Sequence, residues 1–243
     1  MRWTFVLLLA SSFAWADTVQ LTVAFGQSRP PYIDEIKSDG ISLRLFNAVV
    51  EELGWKSKIL FVSNLRMQKL LEERQVDIAV EILPNKSSLY YSQPFIAYTN
   101  YAFYHKGVEL VLNHIDDLQP FSVCAWQNAN EHLGIEDWTA NKKNYREYPK
   151  QKWQVADWLN KRCEVLLIDE TLFYWHLELF NARREKSAQH VDTDDFDKVL
   201  LPIRQNPLWF HVGFTDVALR DAFDEQLTRL KQSGRYEQIL NNY

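Results

Sequence analysis

Apolar and polar positions along the chain change period several times. Val19 to Phe25 alternates and is rich in strand formers, whereas Leu43, Phe46, Val49, Val50 and Leu53 recur at helical spacing and stop at Gly54. Gly54 suits the residue just past a helix end, where a left-handed backbone is favoured. Ile59 to Val62 predicts a second strand, Leu65 to Glu73 a second helix with Leu70 and Leu71 inward, and Val76 to Ile82 a third strand. The order β-α-β-α-β predicts a parallel sheet with helices on its faces.

The same grammar then returns. Phe121 to Ala125 and Val165 to Ile168 read as strands, Gln151 to Lys161 and the aromatic-rich Thr171 to Phe180 as helices. Two aromatic extended runs, Tyr98 to Tyr104 and Leu208 to Phe214, flank this second unit, and a helix over Asp216 to Gln232 follows. The expected architecture is two α/β lobes, each a mostly parallel sheet with helices on both faces, joined by two crossing connections. Residues 17–100 and 208–243 would form one lobe and 101–207 the other. Ligands in such folds bind outside the carboxyl ends of parallel strands, so two facing lobes predict a shared cleft.

Composition narrows the class. With 243 residues, 47% hydrophobic and 24% charged, the chain has the balance of a globular protein. A net charge of -5 and the lack of any basic run argue against nucleic acid as a partner. Residues 1–16 differ: Arg2 is a short positive start, Phe5 to Ala10 opens an apolar stretch, and Ala14-Trp15-Ala16 is a small-x-small cleavage pattern. This predicts a secretory signal, a mature chain starting at Asp17, and a periplasmic location without membrane insertion.

Catalytic and metal motifs are missing from the sequence. There is no HExxH, GxSxG or GxGxxG, and the six His are scattered, so neither a metal nor a cofactor is expected. Export makes Cys124 and Cys163 candidates for a disulfide. If their strands are parallel neighbours starting from one edge, however, Cys124 lies three residues in and Cys163 two residues before. At roughly 3.3 Å per residue this puts their Cα atoms more than about 10 Å apart, beyond disulfide reach, so the expectation is two free thiols.

Several segments in order resemble the extracellular solute-binding proteins of the amino-acid type, family 3, which serve ABC importers. Arg29-Pro30-Pro31-Tyr32 is similar to the family's aromatic-Pro-Pro-Phe turn, Gly40 through Gly54 to its first helix, and Val76-Asp77-Ile78-Ala79 to its third strand. Tyr91-Ser92-Gln93-Pro94-Phe95 resembles its FSxPY, Glu164 to Glu170 the second-lobe strand that ends on a ligand-binding Asp, and Val212 to Tyr243 its returning strand and closing helices. The resemblance implies the two-lobed periplasmic-binding fold of type II. It also implies capture of a small molecule by closure, and delivery to an ABC permease or a chemoreceptor by a monomeric protein.

Carried over residue by residue, the resemblance makes Asp169 the carboxylate that holds a ligand ammonium. Asp169 equally suits an N-cap for the helix that follows, and the two roles are compatible. Other positions depart from the pattern. The family's carboxylate-gripping Arg is replaced by Asn85 beside Lys86, its Gly-Thr-Thr by Asn128-Ala129-Asn130 after Trp126, and its stacking aromatic by Arg29. Arg29, Arg66 or Lys86 are then the candidates for an anionic end. Glu81 and Asp169 as acids, with Tyr32 and Trp126 as aromatic walls, favour a cationic nitrogen. Trp175, between Tyr174 and His176 on a helix, reads as packing. The expected function is therefore binding of an amine-bearing, amino-acid-like solute with no bond made or broken. A periplasmic dehydratase using Glu81 or Asp169 as general acid or base, and a sensing module, remain as alternatives on the same fold.

Overall fold

The structure, a computed structural model, describes residues 20–183 and 190–242, so the expected signal segment lies outside the described residues. The chain begins with β1 (Gln20–Phe25), α1 (Ile41–Glu52), β2 (Lys56–Phe61), α2 (Asn64–Glu72), β3 (Ile78–Ile82), β4 (Tyr90–Tyr91) and β5 (Ile96–Tyr98). It continues through β6 (Asn100–His105), β7 (Val123–Trp126), α3 (Ala129–Leu133), α4 (Glu136–Ala140), β8 (Tyr145–Tyr148), α5 (Gln151–Leu159), β9 (Val165–Asp169), α6 (Glu170–Ala182) and β10 (Phe196–Leu200). It ends with β11 (Leu208–Phe214), α7 (Val217–Gln232) and α8 (Arg235–Asn241).

Two sheets result. The first has the order β2-β1-β3-β11-β4 with β5 also on β11, and the second β10-β6-β9-β7-β8. Each has a parallel core, β2-β1-β3 in one and β9-β7-β8 in the other, as the β-α-β pattern predicts. The sheets are nevertheless mixed. The strands that follow a crossing, β6 and β11, enter from the opposite end and pair antiparallel with β9 and β3. The short pieces β8 and β10 are too polar to announce themselves in the apolar pattern.

Strand periodicity sorts side chains onto two faces. In β1, Val23 and Phe25 pack with Phe46 of α1 and Phe223 of α7, while Ala24 between them meets Met67 and Leu71 of α2. In β9, Leu166 and Ile168 join Trp158 of α5 and Phe173 of α6, and Val165 and Leu167 join Leu133 and Trp138 on the other side. Helix α2 presents Met67 and Leu71 inward, with Leu70 only half-buried.

The crossings are narrow. The chain leaves the first sheet at Tyr98 and enters the second at Asn100, and returns through residues 201–207 immediately before β11. The Asn206 side chain staples the two passages, accepting from Asn100 N at 3.0 Å and donating to Asn100 O at 2.8 Å.

The cysteines correct the sequence expectation: Cys124 and Cys163 form a disulfide, with Cα atoms 6.1 Å apart. The neighbour relation of the strands holds, since Val123 pairs with Val165 in a parallel register. What fails is the assumption that residues before β9 are extended. Lys161 is left-handed with φ 59°, Arg162 N folds back to Asp157 O, and the amides of Glu164 and Val165 both donate to Ser122 O. The chain therefore doubles back and lays Cys163 under Cys124. Replacing both cysteines by Ser should lower unfolding stability by about 2–4 kcal/mol, because the bridge constrains the unfolded chain. Urea unfolding with and without reductant checks this, and alkylation of the unreduced, denatured protein should label neither cysteine.

Gly40 governs where the Arg29–Asp39 loop sits. Its φ of 134° is open to glycine, and an added Cβ would lie 2.3 Å from the backbone oxygen of Tyr32. That close approach lets Ile41 N and Ser42 N donate to Pro31 O and Tyr32 O, both at 3.0 Å, docking the loop on the start of α1. Gly40→Ala should destabilise the fold by about 1–3 kcal/mol through backbone strain, read as a shifted denaturation midpoint.

Candidate functional site

The carboxyl ends of β3, β7 and β9 converge on a chamber between the two sheets, walled by Glu81, Tyr98, Trp126, His132, Asp169 and Phe210. Tyr98 and Phe210 face each other across the β5–β11 pair, with ring centroids 5.3 Å apart. Both belong to the aromatic extended runs that mark the crossings in the sequence, so the signal that could have added them to the site was present there. His132 was a lone histidine without a distinguishing signal. It accepts from Trp126 Nε1 at 3.3 Å, and burial together with the nearby Arg29 lowers its pKa to about 4, so it is neutral near pH 7.

Asp169 ends β9 and caps α6. Its Oδ1 accepts from Leu172 N and from Tyr32 OH, each at 3.1 Å, and its Oδ2 accepts from Thr99 N at 2.9 Å. A further hydrogen bond from the Thr171 amide also favours its ionised form. Asp169 is 3% exposed, and burial pushes its pKa up to about 6 despite those hydrogen bonds. Both sequence roles, cap and cleft acid, fall on one side chain. Tyr32 does not wall the chamber: it is buried, holds Asp169 through its hydroxyl, and packs its ring 4.3 Å from that of Tyr98.

Glu81 reaches the chamber by a break in strand regularity. Between β3 and β11, Val80 pairs with Val212 and Ile82 with His211, leaving Glu81 as an extra residue with φ 66°. Such a bulge reverses the alternation of faces. Ile82 consequently packs with the α2 side rather than with Ile78 and Val80. The left-handed backbone of a non-glycine residue is a strained conformation of the kind that collects at functional sites.

The Glu81 carboxylate is already engaged. It forms an ion pair with Arg29, accepts from Ser42 Oγ, and accepts from Tyr98 OH at 2.8 Å, with only 1% of its side chain exposed. The Arg29 guanidinium also lies 5.3 Å from the centre of the Tyr98 ring. Arg29 and Glu81 therefore neutralise each other in charge, while Arg29 Nε is buried without a hydrogen-bond partner.

Asn128 starts α3 with a left-handed backbone, and Asn128 N and Asn130 N donate to the two oxygens of Glu147 at 2.7 and 2.9 Å. Backbone amides that would suit a carboxylate are thus filled by an internal one. Arg66 lies exposed on α2 and walls neither this chamber nor its outward extension. Lys86 pairs with Glu72 at 3.5 Å, and Asn85 accepts from Gln68 at 3.0 Å. Counting the charged walls, one guanidinium faces three carboxylates, those of Glu81, Glu131 and Asp169. The net charge of these walls favours a cation, and the one guanidinium among them keeps an unpartnered Nε–H. Among the described residues no group of three His, Cys, Asp or Glu side chains is placed to hold a metal ion.

The chain is similar to a histidine kinase sensor domain that itself resembles periplasmic binding proteins, at 16% identity and TM-score 0.73, covering 93% of this chain and 96% of that one. It is similar to the arginine-, lysine-, histidine-binding protein ArtJ from Geobacillus stearothermophilus, at 15% identity, TM-score 0.68, and 92% and 94% coverage. A third is the GluR0 ligand-binding core from Nostoc punctiforme in complex with L-glutamate, at 18% identity, TM-score 0.69, and 92% and 98% coverage. At these identities the likeness speaks for the two-lobed fold alone. No curated protein matches the chain. The model of the bacterial extracellular solute-binding proteins, family 3, matches residues 21–243. The chain belongs to that family of solute-binding proteins.

Proposed function

We propose that this protein captures a cationic, amine-bearing small molecule in the cleft between a lobe of residues 17–100 with 208–243 and a lobe of residues 101–207, and presents it in the periplasm to a membrane partner. The observation that carries the reading is Asp169: a carboxylate at the end of β9, buried in the wall of the chamber and held by donors from Tyr32, Thr99 and Leu172. Charge-assisted hydrogen bonds are roughly twice as strong as neutral ones. The faces of Tyr98, Trp126 and Phe210 add a cation–π and stacking environment of about 0.5 to 2 kcal/mol per favourable ring. No helix among the described residues is long and apolar enough to cross a membrane, and delivery to an ABC permease fits a separate, exported carrier. A sensing partner is a second reading, favoured by the similarity to a histidine kinase sensor domain.

Ligand bound to one lobe recruits the other about Thr99 and residues 201–207, where few backbone groups link the sheets. A thermal-shift screen of amino acids, polyamines, quaternary amines and short peptides identifies binders, since a ligand at 100 times its Kd stabilises by about 2.7 kcal/mol. Small-angle scattering with a binder from that screen should show a smaller radius of gyration. A radius indifferent to saturating ligand would rule out closure.

Asp169→Asn should weaken amine binding roughly tenfold to a hundredfold, the equivalent of about 1.5 to 3 kcal/mol. Calorimetry on a variant with native circular dichroism checks it, and unchanged affinity ends the assignment.

The pH dependence has a definite sign. A carboxyl whose pKa is raised by folding imposes its full charge-burial penalty above that pKa, and the penalty is relieved as pH falls through it. Asp169, at about 6, must be ionised to hold an ammonium. Affinity should therefore be flat above about pH 7 and fall by up to roughly tenfold per pH unit below 6. The dependence should vanish in Asp169→Asn.

A further inference from the structure

His132 walls the same chamber as Asp169, and an amine seated on the carboxylate makes no use of it. The residue lies on α3, half-buried, with its ring 5.9 Å from that of Phe210 in the opposite lobe and at 81° to it. One ring nitrogen is committed, since Nδ1 accepts from Trp126 Nε1 at 3.3 Å. The other, Nε2, has no hydrogen-bond partner among the described residues. Nor is it sealed in protein, so it opens on the chamber that the ring borders.

The indole of Trp126 decides what that open atom is. An indole N–H can only donate, so the nitrogen it meets must offer a lone pair. A proton on Nδ1 would set two N–H groups against each other, which excludes both the Nδ1–H tautomer and the imidazolium. The single proton of the neutral ring therefore sits on Nε2. Burial and the positive Arg29, only partly opposed by Glu147, favour the neutral ring as well. The chamber thus holds a fixed, uncharged N–H donor with no acceptor. Arg29 supplies a second one on the same walls, its Nε–H being buried without a partner. Donors left unmade are costly. An ammonium on Asp169 satisfies neither of them, whereas an oxygen carried by the same molecule can accept from the open one without breaking any pair inside the protein.

We propose that His132 is a specificity-determining residue that touches the ligand: its Nε2–H donates to an oxygen of the bound amine, so the cleft takes an amine bearing a carbonyl or carboxylate oxygen in preference to a bare amine. The inference rests on the amine reading of Asp169. A site built around a donor rejects the analogue that leaves the donor unpaired.

Calorimetry with L-lysinamide, L-lysine and cadaverine tests the preference. Lysinamide and cadaverine both carry two ammoniums and differ by a carboxamide, and lysine has a carboxylate in its place. In both lysine compounds the oxygen is close to one ammonium and a side chain away from the other, so two spacings from Asp169 are sampled. At least one of them should bind about tenfold more tightly than cadaverine, and which one leads tells a neutral oxygen from a charged one. His132→Phe should remove that advantage by weakening the lysine compound more than cadaverine. Nitrogen-15 NMR of the unaltered protein keeps the test open should that variant not fold: near pH 7 the His132 proton should sit on Nε2, and that nitrogen should shift with the better lysine compound but not with cadaverine. Three results would each overturn the inference and leave the amine reading standing: Asp169-dependent binding of cadaverine that neither lysine compound surpasses, an advantage that survives His132→Phe, or a proton on Nδ1. If none of the three compounds binds, both fall.

Discussion

The burial of one carboxylate organises the cleft. Asp169 holds the first amide after β5 through Thr99 N, the first turn of α6 through Leu172 N, and the opposite lobe's loop through Tyr32 OH. Hinge, helix and facing lobe therefore meet on two oxygen atoms. A buried charge is tolerated only when hydrogen-bonded, and here the donors come from parts of the molecule that have to move relative to one another for the cleft to open. On the proposed function, ligand binding and closure draw on the same group, and the raised pKa of Asp169 reflects a burial cost that its hydrogen bonds do not fully offset.

The remaining charges in the cleft are handled in pairs. Arg29 and Glu81 cancel within the first lobe, with Ser42 and Tyr98 completing the set around the glutamate. Glu147 plugs the amides at Asn128 and Asn130, and Tyr145 OH donates to it at 2.8 Å. Once these internal pairs are discounted, the acids left on the chamber walls are Asp169 and Glu131. Internal neutralisation of this kind changes which ligand a familiar fold accepts without altering the fold, because each replacement satisfies a buried polar group from within the protein.

Much of the architecture was legible in the apolar pattern. Strand β11 was read with its observed ends, α1 stops at the residue before the Leu53–Gly54 turn, and Asp216 caps α7 by accepting from Ala218 N and Leu219 N. These elements bury one face or stripe, and that periodicity is a property of the chain alone. Asp169 as a helix cap was legible for a similar reason, since a strand running into a helix needs a short polar residue at the junction, whereas its role as a cleft acid was implied only by the family resemblance. The small pieces β8 and β10 were missed because their alternation is too polar to register.

What the tertiary structure decided is how separate segments spend their polar groups on one another. No local pattern says that Arg29 will be neutralised by Glu81, since the two lie 52 residues apart and meet through a bulge that turns one glutamate out of its strand's alternation. Nor does it say that the turn before β9 folds back far enough to join Cys163 to Cys124. Extended-chain arithmetic fails there because hydrogen bonds from the turn to Asp157 and Ser122 shorten the path. Burial periodicity is encoded residue by residue along the chain, so the sequence by itself determined the elements, their order and the two-lobed fold. Charge pairing and register depend on which elements come into contact, and that was decided only when the two lobes were folded and brought together.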